Sequence, residues 1–178
     1  METKTLGLII TWTVLGAVTA SMDIIVSMGT GIYGLGLFTI PLGTGIVHII
    51  FLNHFKGKRW MFTFAMAIAS LILLPLPVAG PPFYALKVPS LILQAFLGDV
   101  LFNTVYPRTK RKFAWSVCFG GIHWFYTAFI TTLKYIPMYS WTFLVTFGSF
   151  ALPITTTLGV LSGIFGYVTY KKVEGVFQ

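Results

Sequence analysis

The stretch Leu91–Lys112, LILQAFLGDVLFNTVYPRTKRK, combines the two features on which the predicted architecture depends. It begins as an apolar run that contains one carboxylate, Asp99, and it ends in a dense basic cluster. About 20 mainly apolar residues are needed to cross a bilayer as one helix. The pattern therefore predicts a membrane helix that stops at a basic loop, and it raises the question of what surrounds the aspartate.

The composition indicates an integral membrane protein rather than a soluble one. Of the 178 residues, 56% are hydrophobic and 9% are charged, whereas soluble domains carry roughly a quarter charged residues. The net charge of +8 does not indicate a nucleic-acid partner, because the basic residues are concentrated in short clusters. The single cysteine, Cys118, excludes an internal disulfide.

The basic clusters divide the chain into pairs of membrane helices. The apolar runs between them are about 45 to 60 residues long, enough for two spans each. Basic residues favour the cytoplasmic side, so both termini and the two longer internal loops are predicted to be cytoplasmic in a cell membrane. Ten of the twelve basic residues follow this pattern: Lys4; Lys56, Lys58 and Arg59; Arg108, Lys110, Arg111 and Lys112; Lys171 and Lys172. The other two, Lys87 and Lys134, are predicted to lie on the external side.

We therefore predict an all-α, polytopic membrane protein with six helices in one compact bundle and a single domain over residues 1–178. The predicted spans lie near 5–28, 33–53, 60–79, 86–106, 114–136 and 145–170. A glycine-rich turn at 29–36 and the prolines at 81 and 82 form outer turns. The sixth segment is long for one span, so it is expected to begin at the interface or to bend near Pro153.

Polar and small residues recur on single helical faces. In the fifth span the spacing of three or four residues places one set on a common face: Ser116, Gly120, His123, Thr127, Thr131 and Lys134. Such a face is the interior of the bundle or the wall of a polar site. Small residues also let helices approach closely in lipid, and we predict packing or docking roles for Gly16, Ala20, Gly159 and Gly163.

Ionisable residues inside the spans are the first functional candidates, because a charge near the bilayer centre costs at least roughly 2.5 kcal/mol. We expect Asp99 to bond a polar group on the fifth or second span. A transition metal is an alternative, but no local ligand spacing supports one, and no metal is predicted. The set predicted to face the interior is Asp99, Asn103, His123 and His48. By helical rise, His48, Asp99 and His123 fall at similar depths in the inner half.

A second set of candidates lies near the outer ends of the first and fifth spans. Asp23 and Lys134 are opposite charges at similar predicted depth, either across an outer cavity or in a structural ion pair. The glycine-rich turn at 29–36 would cover this region. Aromatic residues also gather at membrane interfaces without any ligand. The predicted substrate-binding residues are Asp23, Lys134, Ser27, Tyr33, Thr131 and Tyr139.

No catalytic pattern is visible in the chain. There is no Gly-x-Ser-x-Gly, no phosphate-binding Gly-Lys-Ser/Thr loop and no Cys-x-x-Cys. Four acidic residues leave little material for acid–base chemistry. We predict that the protein is not an enzyme and carries no cofactor.

The C-terminal segment Leu152–Val173, LPITTTLGVLSGIFGYVTYKKV, completes the pattern of a short chain with six predicted spans and almost no soluble part. In this the chain resembles the substrate-binding (S) component of energy-coupling factor transporters for vitamins and metals, which often ends in a Gly-rich helix followed by Tyr and Lys. The resemblance implies a small-molecule substrate near the outer face. It also implies partners in the membrane: a coupling subunit joined to two cytoplasmic ATPases. In place of that family's Ala-x-x-x-Ala docking motif, the first span has Gly16-x-x-x-Ala20, nearer the membrane middle.

A second interpretation stays open. The chain could be a structural or redox subunit of a larger membrane complex that holds a metal or haem through His48 and His123. A small molecule in the outer half favours the transporter subunit, and a metal or haem between the second and fifth spans favours the larger complex.

Overall fold

The computed structural model describes residues 36–55, 58–76 and 81–176, and in addition residues 7, 10, 11, 13–15, 17, 18, 21 and 25, all of them helical. The three continuous ranges form five α-helices and no strand. In chain order these are α1 (Gly36–His54), α2 (Met61–Leu73), α3 (Lys87–Val105), α4 (Lys112–Lys134) and α5 (Trp141–Val173), with a 3-10 turn at Glu174–Val176. They correspond to the second to sixth predicted spans.

Some of the described helices have the length and apolar composition needed to cross a membrane. Three of them, α3, α4 and α5, are long and apolar enough to cross a bilayer, whereas α1 and α2 are shorter apolar helices. Large apolar side chains cover the outside of the described bundle, where lipid rather than water is the compatible solvent. Examples with exposed fractions of 41% to 66% are Phe96, Phe125, Phe129, Phe150 and Phe165.

The shortest helix, α2, departs most from the predicted spans. A helix near 60–79 was expected, but α2 ends at Leu73, because Pro75 and Pro77 lack the N–H that would continue it. Its 13 residues span about 20 Å, less than the roughly 30 Å of a bilayer core. The end of α2 therefore lies among apolar groups and needs partners from elsewhere in the chain.

The longest helix, α5, runs without interruption from Trp141 to Val173 and passes through Pro153. The predicted span at 145–170 is thus contained in a longer helix. Its start is fixed by Ser140, whose Oγ accepts a hydrogen bond from the Phe143 N–H at 3.3 Å, as an N-cap residue does. At 33 residues, α5 is about 50 Å long, which is more than the roughly 30 Å thickness of a bilayer core.

Glycines allow α4 and α5 to pack against each other at backbone distance. A Cβ placed on Gly163 would lie 2.5 Å from the Ser116 carbonyl oxygen and 2.7 Å from Val117 Cα. One turn along the interface, Gly120 and Gly159 face each other in the same way. Gly159 and Gly163, predicted as packing residues, both lie at this contact, which is the close approach that small residues permit in lipid. The other two predicted positions, Gly16 and Ala20, lie outside the described residues.

The ends of the helices that carry basic clusters meet at one end of the bundle. Asn53, near the end of α1, donates from Nδ2 to Ser116 Oγ near the start of α4 at 3.4 Å. Tyr106, directly after α3, lies within electrostatic range of Glu174 after α5. The clusters at Lys58, at Arg108–Lys112 and at Lys171 are therefore neighbours in space.

Substitution of Gly163 tests the α4–α5 contact. Gly163→Ala is expected to lower the free energy of unfolding by about 1–3 kcal/mol, since the new methyl group meets rigid backbone. Gly148→Ala in the same helix is the matched control, because its Cβ would meet only Thr132 Cγ2 at 3.8 Å. Thermal unfolding of both purified variants in one detergent provides the measurement, and equal effects would contradict the packing described.

Candidate functional site

The aspartate of α3 binds the start of α2. Asp99 is 2% exposed, and its Oδ2 accepts hydrogen bonds from the Thr63 N–H at 2.7 Å and from Thr63 Oγ1 at 2.6 Å. Asn103 Nδ2 donates to its other oxygen at 3.4 Å. Thr63 is the third residue of α2, and Trp60 at the N-cap position offers no side-chain bond. Asp99 thus supplies from a neighbouring helix the acceptor that an N-cap residue normally provides.

A lysine of α3 binds the opposite end of α2. Lys87 is fully buried, and its Nζ donates to the carbonyl oxygens of Leu73 at 3.2 Å, Leu74 at 3.3 Å and Leu76 at 2.7 Å. Cationic groups near a helix C-terminus and acidic groups near an N-terminus complement the helix dipole. Asp99 and Lys87 therefore act as a pair of end caps, and we call them the α2 caps.

A chain of hydrogen bonds joins α1, α4 and α3 in the interior. His48 Nδ1 and His123 Nε2 lie 3.2 Å apart, and His123 Nδ1 contacts the hydroxyl of Tyr126. That hydroxyl donates to the Gln94 carbonyl oxygen at 3.1 Å. Both histidines are at most 5% exposed. We call His48, His123, Tyr126 and the Gln94 carbonyl the histidine chain.

Aromatic rings enclose the histidine chain. The Trp124 ring is stacked parallel to His48 at 6.1 Å between centroids, and Phe62 meets His48 edge-on at 4.9 Å. Phe119 stacks on His123 at 5.6 Å. Gly45 is needed here, because a Cβ at that position would lie 2.6 Å from Trp124 Nε1 and 2.6 Å from Ser162 Oγ.

Three polar atoms beside the histidine chain have no hydrogen-bond partner among the described residues: Thr44 Oγ1, Trp124 Nε1 and Thr127 Oγ1. Thr44 lies four residues before His48 on α1, and Thr127 lies four residues after His123 on α4. Because α1 and α4 run in opposite directions, both threonines lie one turn from the histidine contact, towards the same end. A buried polar group without a partner costs about 1–3 kcal/mol, so this layer is suited to hold a polar molecule.

The structure describes three of the six residues of the predicted outer substrate site. Lys134 is 5% exposed, and its Nζ lies 4.9 Å from the centroid of the Tyr135 ring. Thr131 Oγ1 accepts from Gln94 Nε2 at 3.4 Å. Tyr139 is 47% exposed and packs against Tyr135, so its ring is at the surface. Asp23, Ser27 and Tyr33 lie outside the described residues, as does the turn at 29–36 up to Gly36, the first residue of α1.

The residues predicted to face the interior have specific neighbours. His48, His123 and Asp99 are buried, and Asn103 is half-buried beside Asp99. The partner of Asp99 is Thr63 on the third predicted span, not a group on the fifth or second. The rotation of α3 about its axis determines which helix Asp99 faces. That rotation cannot be predicted from the depth of Asp99 along α3.

The geometry does not fit a haem with His48 and His123 as its two axial ligands. Two metal–nitrogen bonds of about 2.0–2.1 Å place nitrogens on opposite faces of a haem about 4 Å apart, whereas these nitrogens are 3.2 Å apart and in direct hydrogen-bonding contact. Among the described residues, no group of three or more His, Cys, Asp or Glu could hold a metal ion.

Several residues of the α2 caps and of the histidine chain were not identified from the sequence. Lys87 was assigned only to the external side, and Tyr126, Gln94 and Trp124 were not candidates. Lys87 carried one available signal, since it follows the proline-containing end of α2, where carbonyl groups lose their helical partners. Tyr126 lies off the predicted polar stripe of α4, and only the position of α3 makes it an interior residue.

Comparison of the chain with protein-family models, with curated proteins and with solved structures found no match.

The α2 caps can be tested by isosteric substitution. Lys87→Met and Asp99→Asn are each expected to lower the free energy of unfolding by about 2–4 kcal/mol, because buried groups at a helix end lose charged partners. Lys110→Met, at an exposed position, is the control for the loss of a lysine. Denaturation in detergent, followed by circular dichroism, provides the measurement, and a Lys87→Met protein as stable as the control would refute the cap.

Proposed function

We propose that the chain is the membrane-embedded substrate-binding subunit of a small-molecule uptake transporter, as its resemblance to the S component of energy-coupling factor transporters implies. One observation carries the proposal: the layer of Thr44, Trp124 and Thr127 offers hydrogen-bonding atoms without partners inside an apolar bundle. Buried polar atoms without partners are costly, and a polar ligand in this layer would satisfy these three. The proposed partners are a coupling subunit in the same membrane and the two cytoplasmic ATPases joined to it.

The chemistry of this layer describes the proposed ligand. Trp124 Nε1 is a donor without acceptor capacity, while a threonine hydroxyl both donates and accepts. The ligand must therefore present at least one acceptor to the indole N–H. His48 and His123 bound one side of the layer of Thr44, Trp124 and Thr127. On α4, Thr131 follows Thr127 by one turn and accepts a hydrogen bond from Gln94 of α3.

Ligand occupancy tests this function. The Thr127→Val and Trp124→Phe double variant is expected to retain roughly tenfold less of the co-purified small molecule in native mass spectrometry, because two hydrogen bonds are worth about 1–3 kcal/mol together. Thr157→Val, the same change at an exposed position of α5, is expected to leave occupancy unchanged.

The same measurement separates two locations of the ligand. If Asp23→Asn and Lys134→Ala lose the ligand while the Thr127→Val and Trp124→Phe double variant retains it, the ligand binds at the predicted outer site. If the wild-type protein itself purifies without any small molecule, this result would oppose a substrate-binding subunit altogether.

We further propose six spans with both termini cytoplasmic. The meeting of the basic clusters at one end of the described bundle supports this arrangement. Single cysteines in a Cys118→Ala background test it at Lys58, Lys110 and Pro81, which are all exposed. An impermeant maleimide is expected to label positions 58 and 110 from one side and position 81 from the other. Labelling of all three from the same side would be incompatible with the topology.

A further inference from the structure

The exposed apolar face of α5 ends in a cation. Leu161, Phe165 and Val168 are 38%, 51% and 43% exposed, and their spacing of four and three residues places them on one face of the helix. Lys172 follows Val168 by four residues on the same face and is also exposed. The side of α5 that is available to lipid acyl chains therefore continues directly into a positive charge.

The exposed apolar face of α3 ends in the same way. Leu93, Phe96 and Val100 are 46%, 41% and 38% exposed, and they lie three and four residues apart on one face. Arg108 follows Val100 by eight residues, in the turn after the helix, and it is exposed. A second apolar surface thus leads to a second cation.

The connection between α3 and α4 adds two further exposed cations, Lys110 and Arg111. This connection lies close to the end of α5, because Phe113 at the start of α4 meets Tyr167 of α5 edge-on at 5.6 Å between ring centroids. Four exposed cations therefore lie at one end of the described bundle, and we call them the basic rim: Arg108, Lys110, Arg111 and Lys172.

Hydrogen bonds hold the backbone of the connection between α3 and α4 in place. The Arg108 N–H donates to the Val105 carbonyl oxygen at 3.1 Å, and the Arg111 N–H donates to Thr109 Oγ1 at 3.3 Å. A backbone that is already ordered lowers the entropy cost of presenting several cations to one ligand.

The chain contains too few acidic residues to neutralise the basic rim. The whole sequence has 12 Lys and Arg but only 4 Asp and Glu. Asp99 is bonded to Thr63 in the interior, and Glu174 pairs with Lys171 at 2.7 Å. In the part of the chain that the structure describes, no carboxylate forms a salt bridge with the basic rim. Since like charges repel one another, an anion from outside the chain would stabilise this end.

From this arrangement we infer that the basic rim binds the phosphate headgroups of anionic phospholipids, whose acyl chains lie on the apolar faces of α3 and α5. Basic residues beside a membrane attract anionic lipids, and a guanidinium group can bind two phosphate oxygens at once. A free phosphate or an acidic protein segment complements only the cations. A phospholipid complements the cations and the adjoining apolar faces together.

The position of the basic rim goes beyond what membrane orientation requires. Basic residues in a loop favour one side of a membrane wherever their side chains point, whereas here Arg108 and Lys172 continue two exposed apolar faces. The inference requires that the bundle lies in a membrane. It depends neither on the proposed transport function nor on the side on which the termini lie.

Lipid binding to the purified wild-type protein tests the site. Native mass spectrometry in detergent, with phosphatidylglycerol or phosphatidylcholine of equal chain length, is expected to show at least about tenfold tighter binding of the anionic lipid. Equal binding of the two lipids would overturn the inference and would leave the basic rim to an acidic protein partner. Glycerol 1-phosphate, which has the phosphate but no acyl chain, is expected not to compete at equal concentration. Full competition would indicate a site for soluble anions and would overturn the lipid assignment.

Variants of the basic rim show whether its charge is responsible. Arg108→Gln, Lys110→Gln and Arg111→Gln together are expected to weaken phosphatidylglycerol binding at least about tenfold, with phosphatidylcholine binding unchanged. The matched control, Arg108→Lys with Arg111→Lys, keeps the charge and is expected to keep the preference. If circular dichroism shows that the triple variant is unfolded, Lys172→Gln replaces it, with an expected loss of about fivefold. An unchanged preference in a folded Gln variant, or an equal loss in the charge-preserving control, would refute the headgroup site.

Discussion

The two ends of α2 impose the strongest constraint on the described structure. A helix leaves four N–H groups at its start and four carbonyl groups at its end without partners, and in apolar surroundings each costs several kcal/mol. Asp99 and Lys87, both on α3, serve the two ends. They are separated along α3 by about 18 Å, close to the length of α2. The caps therefore fix the antiparallel register of this helical hairpin.

The histidine chain extends the same requirement for hydrogen-bond partners from α3 to α1 and α4. Apolar side chains in a lipid-facing bundle can exchange neighbours at small cost, so they fix relative helix positions weakly. Each polar atom of the histidine chain needs a donor or acceptor at a fixed position, so the helices fit together in one register. A slide of α1 along α4 by one turn would separate His48 from His123. The backbone contact at Gly163 adds a second limit, since α4 and α5 can approach closely only where side chains are missing.

The depth of a residue along its helix was predictable from the sequence, whereas its neighbours on other helices were not. His48 and His123 were assigned similar depths from helical rise alone, and they lie in contact. The predicted span at 86–106 differs little from Lys87–Val105, because apolar length and a basic boundary determine where such a helix ends. The partner of Asp99 was assigned to the wrong helix, since rotation about the helix axis depends on packing. Lys87 was predicted only to lie on the external side and is buried, because the proline-terminated end of α2 offers it three carbonyl groups.

The sequence by itself determined the all-helical class, the approximate helices and the polar face of α4. These follow from local quantities: apolar content sets the solvent, charge clusters set the boundaries, and spacing of three or four residues sets a face. The tertiary structure alone decided that α3 caps α2 and that His48, His123 and Tyr126 meet in the interior. The reason is that a hydrogen bond depends on the relative position of two atoms, and for segments far apart in the chain that position arises only when the helices pack.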